Sequence, residues 1–140
     1  MKRKSRTPKL LVFISHSGRD TWVAKQIARE VTACGANFFL DESDIEVGTE
    51  FEDSIHDSLS KADELLVLLT PWALDRPYVW AEIGAAWGRK IPIVAILHGL
   101  DAQTLQSRPG IPVLIKKRNL IELNEIGVYF KQLRARARKR

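Results

Sequence analysis

Cysteine occurs once in the 140 residues, at Cys34, so the chain cannot close an internal disulfide. Such sparing use of cysteine points to a reducing, cytoplasmic setting. Long apolar runs are missing too: the best are Leu65 to Leu69 and Ile91 to Leu97, the second interrupted by Pro92. A bilayer core needs about 20 apolar residues, so no membrane span is expected. The basic start MKRKSRTPK followed by LLVFIS imitates a secretory leader. Its apolar part, Leu10 to Ile14, falls short of the usual core of about 7–15 residues. Neither GxGxxG nor the GxxxxGK-Ser/Thr loop is present, so neither a dinucleotide fingerprint nor a P-loop is written here. The histidines, His16, His56 and His98, are far apart and lack cysteine partners, so a zinc site is not expected.

What is present fits one globular domain. With 45% hydrophobic and 28% charged residues, a chain of this size buries roughly two-thirds of its unfolded surface. The net charge of +5 is unevenly placed. Residues 1–9 carry five Lys/Arg and no acid, and residues 131–140 carry six and no acid. The body between them sets eleven basic residues against all seventeen acidic ones, a net of −6. Basic ends can bind phosphate polymers or an anionic surface. No aromatic residue interleaves either end, so specific nucleic-acid recognition is not expected, and solvated ends are the simpler reading. The organisation read here is a basic tail over 1–9, a domain over 10–130 and the basic end of a terminal helix over 131–140.

Leu10 to Ile14 reads as a strand buried on both faces. Ser17 or Asp20 can cap the next helix, where Val23, Ile27, Val31 and Cys34 recur at helical spacing and Gly35 is a natural stop. Cys34 is then core rather than nucleophile. Further strands are expected at Asn37 to Leu40, Leu65 to Leu69 and Ile91 to Leu97. A fifth lies at Val113 to Ile115 or, preferably, Leu120 to Leu123. Helices are expected over about 50–62 and 78–89 and from about 125 onward, with a loop or short helix in Gly99 to Pro112. Thr49 and Glu52 fit a capping box. Strands alternating with helices imply an α/β fold: a flavodoxin-like five-stranded parallel sheet, order 2-1-3-4-5, with helices on both faces. In such sheets ligands bind beyond the carboxyl ends of the strands, which directs attention to Ser15–Asp20, Asp41–Gly48 and Thr70–Glu82. A phospho-receiver domain would carry an aspartate just after the third strand, but here Leu69 is followed by Thr70, Pro71 and Trp72.

Residues 41–64 hold ten acids and one Lys, much of which a solvated loop and helix face would explain. Glu82 is different. It is the sole acid of Tyr78-Val-Trp-Ala-Glu-Ile-Gly-Ala-Ala-Trp87. Tyr78 and Glu82, four apart, share one helix face, while Val79, Ile83 and Ala86 fall on the face that would pack on the sheet. A lone carboxylate among apolar and small residues at a binding edge marks a functional candidate.

Four segments, VFISHSGRD (Val12–Asp20), FFLDESDIEVGTEFEDSI (Phe38–Ile55), ADELLVLLTPWAL (Ala62–Leu74) and YVWAEIGAAWGRKIPIVAIL (Tyr78–Leu97), together resemble a TIR (Toll/interleukin-1 receptor) domain, most of all the bacterial NAD-cleaving type. The resemblance implies the same five-stranded parallel fold, with a flexible loop at Asp41–Glu50. It implies cleavage of NAD⁺ at the nicotinamide–ribose bond, giving ADP-ribose or a cyclic isomer, in bacterial immunity against phage. NAD⁺ is then substrate, not cofactor. The family's catalytic glutamate, four residues after a tryptophan, falls on Glu82, with Tyr78 at the tryptophan position. Ser15 and His16 fall where the family contacts substrate, Asp44 is a further candidate, and Tyr78 or Trp72 could hold the nicotinamide ring. Self-association through TIR–TIR contacts is also implied. Two other readings stand beside it: a non-catalytic TIR interaction module, and an enzyme like the nucleoside deoxyribosyltransferases.

Overall fold

The computed structural model describes residues 9–40, 59–111, 115 and 120–139. It forms one five-stranded, all-parallel sheet. The strands are β1 (Leu11–Ser15), β2 (Asn37–Leu40), β3 (Glu64–Leu69), β4 (Ile93–Leu97) and β5 (Leu120–Glu122), in the order β2-β1-β3-β4-β5. The expected order is therefore found, and of the two candidates for the fifth strand the one at Leu120 is used. Among the described residues four complete α-helices accompany the sheet: α1 (Thr21–Ala33), α2 (Pro77–Arg89), α3 (Ala102–Ser107) and α4 (Gly127–Arg138). Residues 59–61 are helical and agree with the end of the helix expected over 50–62. The rest of that helix and its capping box lie outside the described residues.

The period-two alternation of strand side chains divides the core. Phe13, Leu65, Val67, Leu69, Ala95 and Leu97 face one side, where α2 brings Val79, Ile83 and Ala86 and α3 brings Leu105. Val12, Ile14, Leu66, Leu68 and Ile96 face the other, against Ala24, Ile27 and Val31 of α1 and Tyr129 and Leu133 of α4. Cys34 is buried there, and burial pushes its thiol pKa up. Gly35 ends the α1 turn with φ +96°, a conformation open to glycine at little cost.

Residues 131–138 continue α4 rather than fraying into solvent, and Leu133 is fully buried. Arg136 reaches back to Glu64 at 3.0 Å. Glu64 begins β3 with only 2% of its surface exposed, and it also accepts a hydrogen bond from the Tyr129 hydroxyl. A buried carboxylate needs such partners, because leaving it unpaired is strongly destabilising. The pair of contacts therefore clamps the terminal helix to the sheet. Burial, then the Glu64 charge, raises the Tyr129 pKa above its ordinary value.

Glu64→Ala should cost about 3 kcal/mol in urea unfolding, because it strands the Tyr129 hydroxyl and half-frees Arg136. Tyr129→Phe should cost about 1–2 kcal/mol. Because the Tyr129 pKa is raised on folding, its contribution holds below the ordinary tyrosine pKa of about 10 and is lost as pH rises beyond it. The alkaline fall in stability should be shallower in Tyr129→Phe.

Candidate active site

The site is built where β1 ends. Ser15 is its last residue, fully buried, with its Cα opposite Val67 of β3. Two residues after Phe13, it points to the same side of the sheet, toward α2. There its hydroxyl donates to Glu82 Oε1 at 2.5 Å. Glu82 is 4% exposed and sits between Val79 and Ile83, which anchor the helix in the core.

Helix α2 starts with Pro77, whose missing N–H costs nothing at a first helical turn. One turn before Glu82, Tyr78 donates its hydroxyl to the His16 carbonyl at 3.0 Å. Strand end and helix are thus tied twice, through Ser15–Glu82 and His16–Tyr78. The His16 ring is buried, with Nδ1 2.7 Å from the Ser17 carbonyl. A carbonyl only accepts, so Nδ1 carries the proton. Nε2 is buried and has no hydrogen-bond partner among the described residues.

A second latch lies beside the first. The Thr70 hydroxyl donates to Asp20 Oδ2 at 2.6 Å and accepts from the Ala73 N–H at 3.1 Å. Ser17 caps the short turn before α1 by accepting from the Arg19 N–H at 3.0 Å, whereas Asp20, at the helix start, makes no side-chain cap. Of the two expected caps, Ser17 serves the turn and Asp20 serves the latch. The Arg19 guanidinium stands 5.9 Å from the centroid of the Trp72 ring, which remains 45% exposed.

Ser15, His16, Tyr78 and Glu82 are thus brought together, while Trp72 is placed against Arg19 on the neighbouring loop. Asp44 and the loop Asp41–Glu50 lie outside the described residues. The residues not singled out from sequence are Thr70 and Arg19; a Thr directly after a buried strand was the available signal for the first. Among the described residues, no group of three or more His, Cys, Asp or Glu could hold a metal ion. No helix among them is long and apolar enough to cross a membrane.

Comparison with known proteins agrees with the fold. A family model described as TIR domain matches residues 12–135. No curated protein matches the chain. Among solved structures, the TIR domain of the Toll-related receptor TRR-2 from Hydra magnipapillata is 17% identical, with a TM-score of 0.64 over 92% of this chain and 98% of that one. A metazoan TIR-STING receptor from C. gigas, solved in complex with 2',3'-cGAMP, is 20% identical with a TM-score of 0.67, covering 94% of this chain but 41% of the receptor. The TIR domains of the activated Roq1 resistosome, which recognises the effector XopQ, are 14% identical with a TM-score of 0.59, covering 92% of this chain and 84% of that one. At these identities the likeness concerns the fold.

Thr70→Val keeps the shape of the side chain and removes both of its hydrogen bonds. Leaving the Asp20 carboxylate and the Ala73 N–H short of a partner should cost about 2–3 kcal/mol of stability, read from the urea midpoint.

Proposed function

Because the chain belongs to the TIR domain family, we propose that it cleaves NAD⁺ between nicotinamide and ribose, releasing nicotinamide and ADP-ribose or a cyclic isomer. The observation that carries this reading is Glu82, 4% exposed and held by Ser15 at the carboxyl edge of the sheet. A carboxylate taken out of water is unfavourable unless something charged meets it. Held in place beside the ribose, such a carboxylate would stabilise positive charge that develops there during the reaction.

The chemistry needs no more than one carboxylate. Ordinary glycosidases use two, since an alkoxide must be protonated as it leaves. Nicotinamide leaves a pyridinium as a neutral molecule, taking the electron pair of the breaking C–N bond. What is left behind is an oxocarbenium-like ribosyl cation. Glu82 faces that charge, and Ser15 fixes the carboxylate in advance, so no reorganisation is needed as the charge develops. Tyr78, one turn away and tethered to the His16 carbonyl, offers its ring to the nicotinamide. His16 Nε2 offers a hydrogen bond to a substrate hydroxyl. Water, losing a proton to solvent, or the adenine of the same molecule then captures the cation. The setting belongs to the same proposal: signalling in bacterial immunity against phage, as the resemblance to bacterial members implies.

Self-association belongs to the proposal as well. The loop sequence Asp41–Glu50 is acidic and the two ends of the chain are basic, and a head-to-tail contact between them would repeat along an assembly.

Glu82→Gln keeps the shape and removes the charge. Nicotinamide release from NAD⁺, followed by mass, should fall by about 100-fold or more, with the unfolding midpoint nearly unchanged. Undiminished turnover in a folded Glu82→Gln protein would sink the assignment. Activity per mole should also rise with protein concentration. It should fall with added salt, since exposed contacts are screened within about 8–10 Å. Concentration-independent turnover by a monodisperse monomer contradicts the assembly.

A further inference from the structure

We propose that Arg19 and Trp72 form the subsite for the adenosine diphosphate half of the substrate, with Arg19 on the diphosphate and Trp72 against the adenine. This rests on the NAD⁺ reading above. Glu82 and Ser15 account for the nicotinamide ribose and leave two phosphate charges without a partner. An anionic diphosphate beside a buried carboxylate requires a cation, and arginine's planar fork suits phosphate oxygens.

Arg19 meets that need by position. Its backbone is pinned by the Ser17 hydroxyl at 3.0 Å, and the next residue, Asp20, is pinned by Thr70 at 2.6 Å. The loop is thus set before any ligand arrives, which lowers the ordering cost of binding. Four residues of chain separate Ser15 from Arg19, so the two lie at most about 14 Å apart. Arg108, another arginine of this rim, is turned to Asp75 at 3.6 Å. Arg19 has no carboxylate within ion-pair distance among the described residues, and lies instead over the Trp72 ring.

Trp72 completes the argument. An indole three residues beyond a buried strand could have packed inward. Instead nearly half of it stays open, at the carboxyl edge where such sheets bind ligands. A guanidinium on an exposed aromatic contributes only about 0.5–1 kcal/mol, too little to explain the exposure. Base–aromatic stacking is worth about 1–3 kcal/mol, and every purine has a face to offer.

The test is titration of the full chain with ADP by calorimetry, with steady-state kinetics on NAD⁺ and on nicotinamide riboside, which lacks phosphate. ADP should bind the parent protein and Glu82→Gln alike. Arg19→Gln should weaken ADP about tenfold or more and raise the KM for NAD⁺ by a similar factor, with kcat little changed. The loss of kcat/KM with NAD⁺ should exceed that with nicotinamide riboside by about tenfold. Trp72→Ala should weaken ADP as well, while Arg76→Gln, an exposed arginine of the same rim, should not. Circular dichroism confirms folding of each variant. The proposal is overturned by any of three results: no ADP binding, binding indifferent to Arg19, or equal losses in Arg19→Gln and Arg76→Gln. If ADP binding depends on Arg19 but NAD⁺ is never cleaved, the catalytic reading falls and the subsite stands.

Discussion

The hydrogen bond from Ser15 to Glu82 joins the end of the strand β1 to the middle of α2, and the site depends on it. A carboxylate 4% exposed inside an apolar helix face is a standing electrostatic demand. The Ser15 hydroxyl fixes the position of its Oε1. In the proposed reaction positive charge moves from the pyridinium ring onto the ribose as the bond breaks, and a carboxylate fixed beside the ribose would stabilise it more there than in the ground state.

The rest of the fold serves that placement. Strand alternation sends Phe13 and Ser15 to one side, so the residues that fill the core also aim the serine. Helical periodicity sends Val79, Ile83 and Ala86 to the sheet and leaves Tyr78 and Glu82 together on the adjoining face. Two further contacts stiffen the edge, Tyr78 to the His16 carbonyl and Thr70 to Asp20. At the opposite end of β3, Arg89 donates to the carbonyls of Leu59 and Ala62, so α2 is tied at both ends. The buried Glu64 clamp to α4 closes the other face of the sheet.

Much of this was legible in the chain, for identifiable reasons. Apolar runs such as Leu65 to Leu69 mark strands buried on both faces, and their alternation with helices sets the sheet order. Glu82 stood out because its helix carries no other acid. The polar clamps were not legible, because they join residues distant in sequence. Glu64 and Arg136 lie 72 residues apart, and Asp20 and Thr70 lie 50 apart. Nothing local distinguishes Glu64 from the acids before it, or Arg136 from the basic residues around it. Arg19 was equally silent, since its meaning lies in the ring beneath it. Asp44 lies outside the described residues, so its part rests on the resemblance alone.

The central claim is that one buried carboxylate meets a ribosyl cation. The most direct measurement is the rate of nicotinamide release from NAD⁺ deuterated at the ribose carbon that bears nicotinamide, against the unlabelled molecule, at high protein concentration. The account predicts turnover with a normal isotope effect clearly above one, because the C–H bond loosens as the carbon becomes cationic. An effect of one, or no nicotinamide release at any protein concentration, would contradict it.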